Sequence, residues 1–417
     1  MKSISGFFLV LGLAGWTVSA LAADETGITV PQGFTATVFA DNLGRGRHMA
    51  VRSDGAVYLA LRRKSDGSGI VALRDSDGDG EADVIRRFGD IEGTGIGFYK
   101  GQLYFGSDDA IWRFSFAGSD LMPSGDPELM ISDFPEQRQH AVKPFTFDEA
   151  GNLYVSIGAP SNACQVKMRT KGSPGQVPCQ QLERQSGIWR FSADVPGQTQ
   201  EADGHRYATG TRNAMALDWN FEAGALFFGT HGRDQLSAFW PDFYSDEDNA
   251  DLPSEEFHQA ADGGNYGWPY TYWNHRQDKR ITAPEYGGDG KTEATQGIYT
   301  DPAIGFPAHW APNDLVFYTG GAFPETYHGG AFLAFHGSWN RAPLPQAGFN
   351  VVFIPFENGA PTGDWSVFAD GFAGAEELAN PRNARFRPTG VAVGPDGALY
   401  ISDSMKGRVW RITYEGS

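Results

Sequence analysis

Short runs of alternating apolar and polar residues recur along this chain. Each opens on a Gly-containing turn, carries an aromatic residue and ends in small residues. The runs read "DGAVYLAL" at Tyr58, "KGQLYFGS" at Tyr104, "AGNLYVSI" at Tyr154, "AGALFFGT" at Phe227, "GGAFLAFH" at Phe332 and "DGALYISD" at Tyr400. A second strand-like run often follows, as in "AIWRFSF", "GIWRFSA", "NVVFIPF" and "RVWRITY". Alternation bounded by Gly and Asp is a hairpin signal. Six irregular copies of a β-meander predict an all-β fold, a six-bladed β-propeller. The early run "GFTATVFA" (33–40) lacks a hairpin partner of its own, so it is expected to complete the last blade and remove a free edge. The long gaps on either side of Phe227 predict loop insertions on one face, where a site belongs. A pair of β-sandwiches is the weaker alternative, because the copies spread over the whole chain. No sustained amphipathic helix is present.

Composition narrows the function. The chain has 417 residues, 41% hydrophobic and 20% charged, with 54 Gly and 24 Pro, which suits a globular, turn-rich protein. A net charge of -18 argues against nucleic acid and anionic membrane as partners. Residues 1–22 read as a secretory signal: Lys2, the apolar run "FFLVLGLAGWTV", then Ala20-Leu21-Ala22 as an A-x-A cleavage site. That run is too short to span a bilayer. Residues 23–417 are then one exported domain, periplasmic or secreted. Cys164 and Cys179 are the two cysteines, and in an oxidising compartment they are expected to pair. No C-x-x-C-H occurs, so no covalent haem is expected, and "GTGIGF" at 93–98 has the wrong spacing for a dinucleotide loop and reads as a strand.

Several constellations carry chemistry. Asp75, Asp77, Asp79 and Asp83 alternate around Gly80, a pattern that wraps oxygen ligands around a hard cation such as Ca²⁺, although Arg86 stands where an EF-hand needs Glu. An Asp/Gly turn without metal is the alternative. His140 precedes the third repeat and is a candidate general base. Arg212-Asn213 precedes the fourth, followed by His231-Gly232-Arg233-Asp234, and Glu255-Glu256 lies further on. Arg341 follows the fifth repeat, and Arg385 and Arg387 precede the sixth, with Arg382 nearby. This recurring placement beside the repeats predicts guanidinium groups converging on the propeller axis. Such a cluster repels itself when empty, so it predicts an anionic ligand, for which a planar polycarboxylate suits the forked donors.

The motifs "RQHAVKPFTFDEAGNLYVSIG", "TGTRNAMAL", "GTHGRD", "GGNYGWPY", "GFPAHWAPNDLVFYTG", "AFHGSWNR" and "RFRPTGVAVGPDG" together resemble the glucose/sorbosone dehydrogenase family. These are bacterial quinoproteins that bind pyrroloquinoline quinone (PQQ) and Ca²⁺ on a six-bladed propeller. The resemblance implies that His140 is the catalytic base and that Arg212 and Asn213 polarise the quinone edge and bind the cofactor. Arg385 and Arg387 match an Arg-aromatic-Arg pair near the cofactor carboxylates, and Arg341 a basic cofactor contact. The backbone carbonyls of Gly232 and Arg233 match the loop holding the catalytic Ca²⁺. Trp310 and Trp339 are expected to wall the pocket. Near the first blade, Arg47 or His48 supplies a polar cofactor contact. Gln139 stands where soluble glucose dehydrogenases place Asp, and Gly232-Arg233 replaces a Gly-Pro pair, which points to the sorbosone-type branch. The substrate implied is an aldose or sugar aldehyde, and the electrons pass to a separate cytochrome or quinone. A calcium-dependent lactonase and a non-catalytic ligand-binding propeller are the other readings.

Overall fold

The computed structural model describes residues 26–416. The signal segment expected at 1–22 lies outside the described residues. Six antiparallel four-stranded sheets, two of them extended by a short parallel strand (Gln198–Thr199 and Gly264–Asn265), succeed one another around an axis. Their innermost strands are Gly46–Val51, Gly95–Tyr99, Phe145–Phe147, Ala214–Asn220, Pro312–Phe317 and Pro388–Val393. Each blade is numbered here in that order. The run "GTGIGF" is absorbed by the innermost strand of the second blade, as expected.

The repeated aromatic runs are not the innermost strands. They form the second strand of each blade, for example Val57–Ser65, Ala225–Thr230 and Leu399–Asp403. A second strand is covered on both faces, so it reads as a near-continuous Val/Leu/Phe run. The innermost strands line the axis with apolar residues broken by isolated polar ones, His48, Thr146, Asp218 and Asp314, and in four blades the pairing register shifts: between Gly46 and Met49, Ala214 and Ala216, Pro312 and Asp314, and Pro388 and Gly390. These bulges blur the alternation that marks a strand.

Packing lies between facing blades. Phe332 and Phe353 of the fifth meet Leu399, Ile401 and Trp410 of the sixth, and Leu59 and Val71 of the first meet Tyr400 and Val409. Each such side chain contributes about 1.5–3 kcal/mol on full burial. Polar ties join neighbouring blades beside the axis. Asp218 of the fourth blade accepts from Thr146 Oγ1 of the third at 3.2 Å and from Phe317 N of the fifth at 2.9 Å. Burial pushes the Asp218 carboxyl up to about 6.

The strand Phe34–Ala40 pairs antiparallel with Val409–Tyr414, from Phe34↔Tyr414 to Ala40↔Val409, and becomes the outermost strand of the sixth blade. This is the closure expected from its missing hairpin. Among the described residues no helix is long and apolar enough to cross a membrane.

Insertions build one rim. Residues 158–186 and 231–254 join second to third strands in the third and fourth blades. The third insertion, 260–303, leaves from the opposite end of the fourth blade. It wraps over the third, pairing Ala208↔Gly264 and Thr209↔Asn265, and returns to the same rim, where Glu285 holds Arg233. Cys164 and Cys179 form a disulfide inside the first insertion.

Candidate active site

At this rim the axis opens into a cavity of about 280 Å³, lined by groups from five blades, among them Arg47, His140, Asn213, Asn313 and Arg387. Arg47, Asn213, Asn313 and Arg387 all stand at the bulged ends of innermost strands, where a register shift re-aims side chains toward the axis.

His140 sits in the loop before Phe145–Phe147 with a left-handed φ of 51°. Its Nδ1–H donates to the Ala159 carbonyl at 2.6 Å, which leaves Nε2 as a bare acceptor. Burial, and then the Arg212 charge, push its pKa down to about 3, so the ring is neutral. The loop is fixed by Gln137 Nε2, which donates to the carbonyls of Gln139, His140 and Gly158 at 2.8, 2.8 and 3.0 Å. Gly158 is required there, because a Cβ would lie 2.5 Å from His140 Cβ.

Arg212 is buried and already engaged. Its Nη2 donates to Asp234 Oδ2 at 2.9 Å and to Asn162 Oδ1 at 3.1 Å, and its Nε donates to the Asn162 carbonyl at 3.2 Å. Burial opposes the Asp234 charge, but Arg212, His309 and Arg169 together hold that carboxyl below its usual range. Asn213 Nδ2 donates to His231 Nδ1 at 3.3 Å, and His231 Nε2–H donates to the Pro312 carbonyl at 3.0 Å. Glu255 accepts from the amides of Gly232 and Ala311 at 2.9 and 3.3 Å, and burial pushes its carboxyl up to about 8.

Two guanidinium groups differ from Arg212. Arg47 Nε donates to Thr94 Oγ1 at 3.3 Å, and Arg387 Nε donates to the His336 carbonyl at 3.0 Å, while its Nη2 donates to the Gly337 carbonyl. Neither has a carboxylate within ion-pair distance among the described residues. Burial pushes both pKa values down to about 10, the sign of cations short of counter-charge.

The other expected residues divide. Arg47 faces the cavity, whereas His48 lies behind it and lines a separate axial channel. His48 Nε2–H donates to the Asn313 carbonyl at 2.6 Å, tying the first blade to the fifth. Gly232 lines the cavity, and among the described residues no hydrogen bond is made to its carbonyl or to that of Arg233. The Arg233 side chain turns away to Glu285, at 2.7 and 2.8 Å.

Arg385 does not join the cluster. It is exposed, lies over the Phe386 ring at 5.1 Å and lines a different groove. A two-residue spacing shares a face only in a strand. Here a 3₁₀ turn at Pro381–Asn383 precedes the segment, the strand starts at Pro388, and the buried Phe386 sets the orientation. Arg341 also stays off the cavity wall, donating to the Ala250 and Pro345 carbonyls, and Arg382 is exposed. Trp339 lines the mouth and is 52% exposed, whereas Trp310 packs against Phe335 and Trp365 on the far side. Oxygens of Asp75, Asp77 and Asp79 lie within 4.8 Å of one another, far from this rim in the third-to-fourth strand turn of the first blade. Asp83 instead accepts from Ser76 N at 3.3 Å.

Sequence reasoning missed Asn162, His309, Asn313 and His336. Their signal was weak: each is a single polar residue in an insertion or at a strand end. Asn162 follows "SIG" by four positions, and Asn313 sits in the quoted run "GFPAHWAPNDLVFYTG" without being singled out.

Comparison with known proteins adds the family. A PQQ-dependent pyranose dehydrogenase of Coprinopsis cinerea is 32% identical over 190 residues, covering 38% of this chain and 25% of that protein. A PQQ-dependent sugar dehydrogenase of Hypocrea jecorina is 26% identical over 220 residues, 48% of this chain and 46% of that protein. The chain thus spans less than half the length of these curated relatives. Among solved structures, an iodide form of a Trichoderma reesei family AA12 carbohydrate-active enzyme superposes with a TM-score of 0.75 at 18% identity, covering 93% of this chain and 97% of that one. The holo PQQ domain of the Coprinopsis cinerea pyranose dehydrogenase gives 0.72 with the same identity and coverage. At that identity the superpositions speak for the propeller alone, and nothing in the matches singles out the sorbosone-type branch. The TrAA12-like family model, however, runs unbroken from residue 28 to residue 415, across all six blades and every loop that feeds the cavity, and the chain belongs to the TrAA12-like family.

Proposed function

We propose that this protein is a PQQ-dependent dehydrogenase that oxidises an aldose or another pyranose, with His140 as general base. One observation carries the reading: Arg47 and Arg387, half-buried and without a carboxylate partner, share a cavity with the bare Nε2 of His140. The donor set fits the cofactor. Forked guanidinium groups suit carboxylates, and the unengaged carbonyls of Gly232 and Arg233 suit Ca²⁺, a hard cation that prefers oxygen. When bound, PQQ supplies a quinone that takes a hydride, and Ca²⁺ supplies a Lewis acid beside it.

The chain's own residues do the rest. His140 Nε2 takes the proton of the substrate hydroxyl, and the Ala159 carbonyl holds the tautomer that keeps Nε2 free. Arg212, anchored by Asp234 and Asn162, presents a fixed positive charge where negative charge develops. Asn213 is held by His231 as a further donor. Arg47 and Arg387 orient the cofactor through its carboxylates, and Trp339 walls the entry. The Cys164–Cys179 disulfide supports an exported protein.

A lactonase reading needs carboxylates gathered at the axis. Among the described residues the one group of three acidic side chains close enough to share an ion is Asp75, Asp77 and Asp79, on the first blade's outer turn. The test is reconstitution. Apo protein mixed with PQQ and Ca²⁺ acquires a stoichiometric cofactor spectrum and reduces an artificial dye with an aldose. Lack of any PQQ uptake overturns the reading.

A further inference from the structure

The disulfide-clipped insertion carries a charge and an exposure that the chemistry above does not use. Between Gly158 and Ser186 the basic residues are Lys167, Arg169, Lys171 and Arg184, against one acid, Glu183, in a chain with 51 acids and 33 bases. At its tip Val166, Met168 and Val177 are 60%, 52% and 79% exposed. The tip is held firmly all the same. Val166 N donates to the Pro174 carbonyl, Gly175 N to Glu285 and Gly172 N to Phe239. Arg169 Nη2 reaches inward to Asp234 Oδ2 at 3.3 Å, and Gln139 Nε2 donates to Met168 Sδ at 3.3 Å. Met168 therefore touches the residue that precedes His140, and the exposed Trp339 lines the cavity from the fifth blade. Arg138, Lys167 and Lys171 are exposed and make no ion pair among the described residues.

Resting on the dehydrogenase reading, we propose that this rim is the docking surface for a small electron-transfer protein with an acidic face around an apolar redox edge. Exposed apolar side chains beside unpaired cations are the composition of a transient interface: the apolar part is desolvated and the charges steer the encounter. A single-electron partner suits the stoichiometry. Each substrate oxidised yields two electrons and two protons; two partner molecules take the electrons in succession, and the protons leave to solvent through the open mouth. Charge complementarity is local: the loop cations attract an acidic face, while the net charge of -18 repels the same partner from the rest of the surface, so the encounter is confined to this rim. The disulfide keeps the loop in its docking shape before the encounter, which lowers the ordering cost of association.

The experiment is a titration of the full chain with two c-type cytochromes, one with an acidic haem edge and one with a basic edge, at low and high salt. The acidic one binds, and the Arg138→Glu, Lys167→Glu, Lys171→Glu triple variant weakens that binding at least about tenfold and abolishes its salt dependence. Val166→Ser with Val177→Ser weakens it at high salt as well. Equal affinity of wild type and triple variant, or no binding of the acidic cytochrome, overturns the proposal. This titration needs no cofactor, so it decides the surface even where PQQ uptake fails and the dehydrogenase reading falls. In the reconstituted holoenzyme the triple variant reduces its cofactor with sugar at the wild-type rate while its reoxidation by the acidic cytochrome slows by the same factor. Unchanged reoxidation refutes the docking role.

Discussion

His140 keeps its proton-accepting nitrogen through burial and the nearby Arg212 charge, and both act in the same direction. A base with a pKa near 3 stays competent in acid, so the acid limb of kcat/KM is expected below pH 5 and not near the ordinary imidazole value of about 6.5. A limb centred near 6.5 assigns the base elsewhere. His140→Ala is expected to retain the cofactor spectrum while turnover falls by ~10²–10⁴-fold. The arginines give a sharper contrast. Arg47→Ala with Arg387→Ala removes two charge-assisted contacts, each about 1.5–3 kcal/mol, and cofactor affinity is expected to fall at least a hundredfold. Arg385→Ala leaves affinity unchanged, because that side chain faces another groove. Equilibrium titration with PQQ distinguishes the two variants. Glu255 offers a stability test. Its folded pKa of about 8 lies above the unfolded value, so its contribution is fully present below about pH 4.5 and is lost as pH rises toward 8. The unfolding free energy of Glu255→Gln relative to wild type should therefore rise with pH across that window, by at most about 1.4 kcal/mol per unit. A difference that stays flat with pH rejects the assignment.

Elements decide which of these residues meet. Before folding, the second strand of each blade announces itself, because it is apolar along its whole length. The innermost strands, whose ends line the cavity, hide behind register shifts and isolated polar groups. That is why six blades and the His140, Arg212 and Arg387 positions were legible in the chain, while Asn313 and His336 were not. It is also why Arg385 was misplaced: counting by two assumes a strand where a 3₁₀ turn and a buried Phe386 set the direction. The first insertion shows the opposite case, where a covalent mark is easily read but the geometry it secures is not. Cys164 lies two residues from Asn162, which bridges Arg212 and Asp234. Replacing both cysteines by serine removes a link with a sequence separation of 15. Denaturant unfolding of the variant is expected to show a loss of about 3 kcal/mol. A loss confined to a few tenths means the loop is held by its hydrogen bonds alone.

Across the whole molecule, five blades take their four main strands from one stretch of chain each, two of them adding a short strand from further on, and the sixth is built from both ends of the described chain. The long reach of that closure was visible only as a run without a partner. The geometry behind it was not, since nothing local in "GFTATVFA" names Val409–Tyr414 as its mate. The ring also explains why groups from five blades converge although no two of their motifs are adjacent in sequence.

The closing pair has a consequence in time. Thr37 and Arg411, matched in register, are 374 positions apart. The strand synthesised earliest is needed last, and it waits unmatched until the final hairpin has emerged. Contacts this distant slow folding, so the sixth blade keeps an open edge until the two ends of the described chain have met.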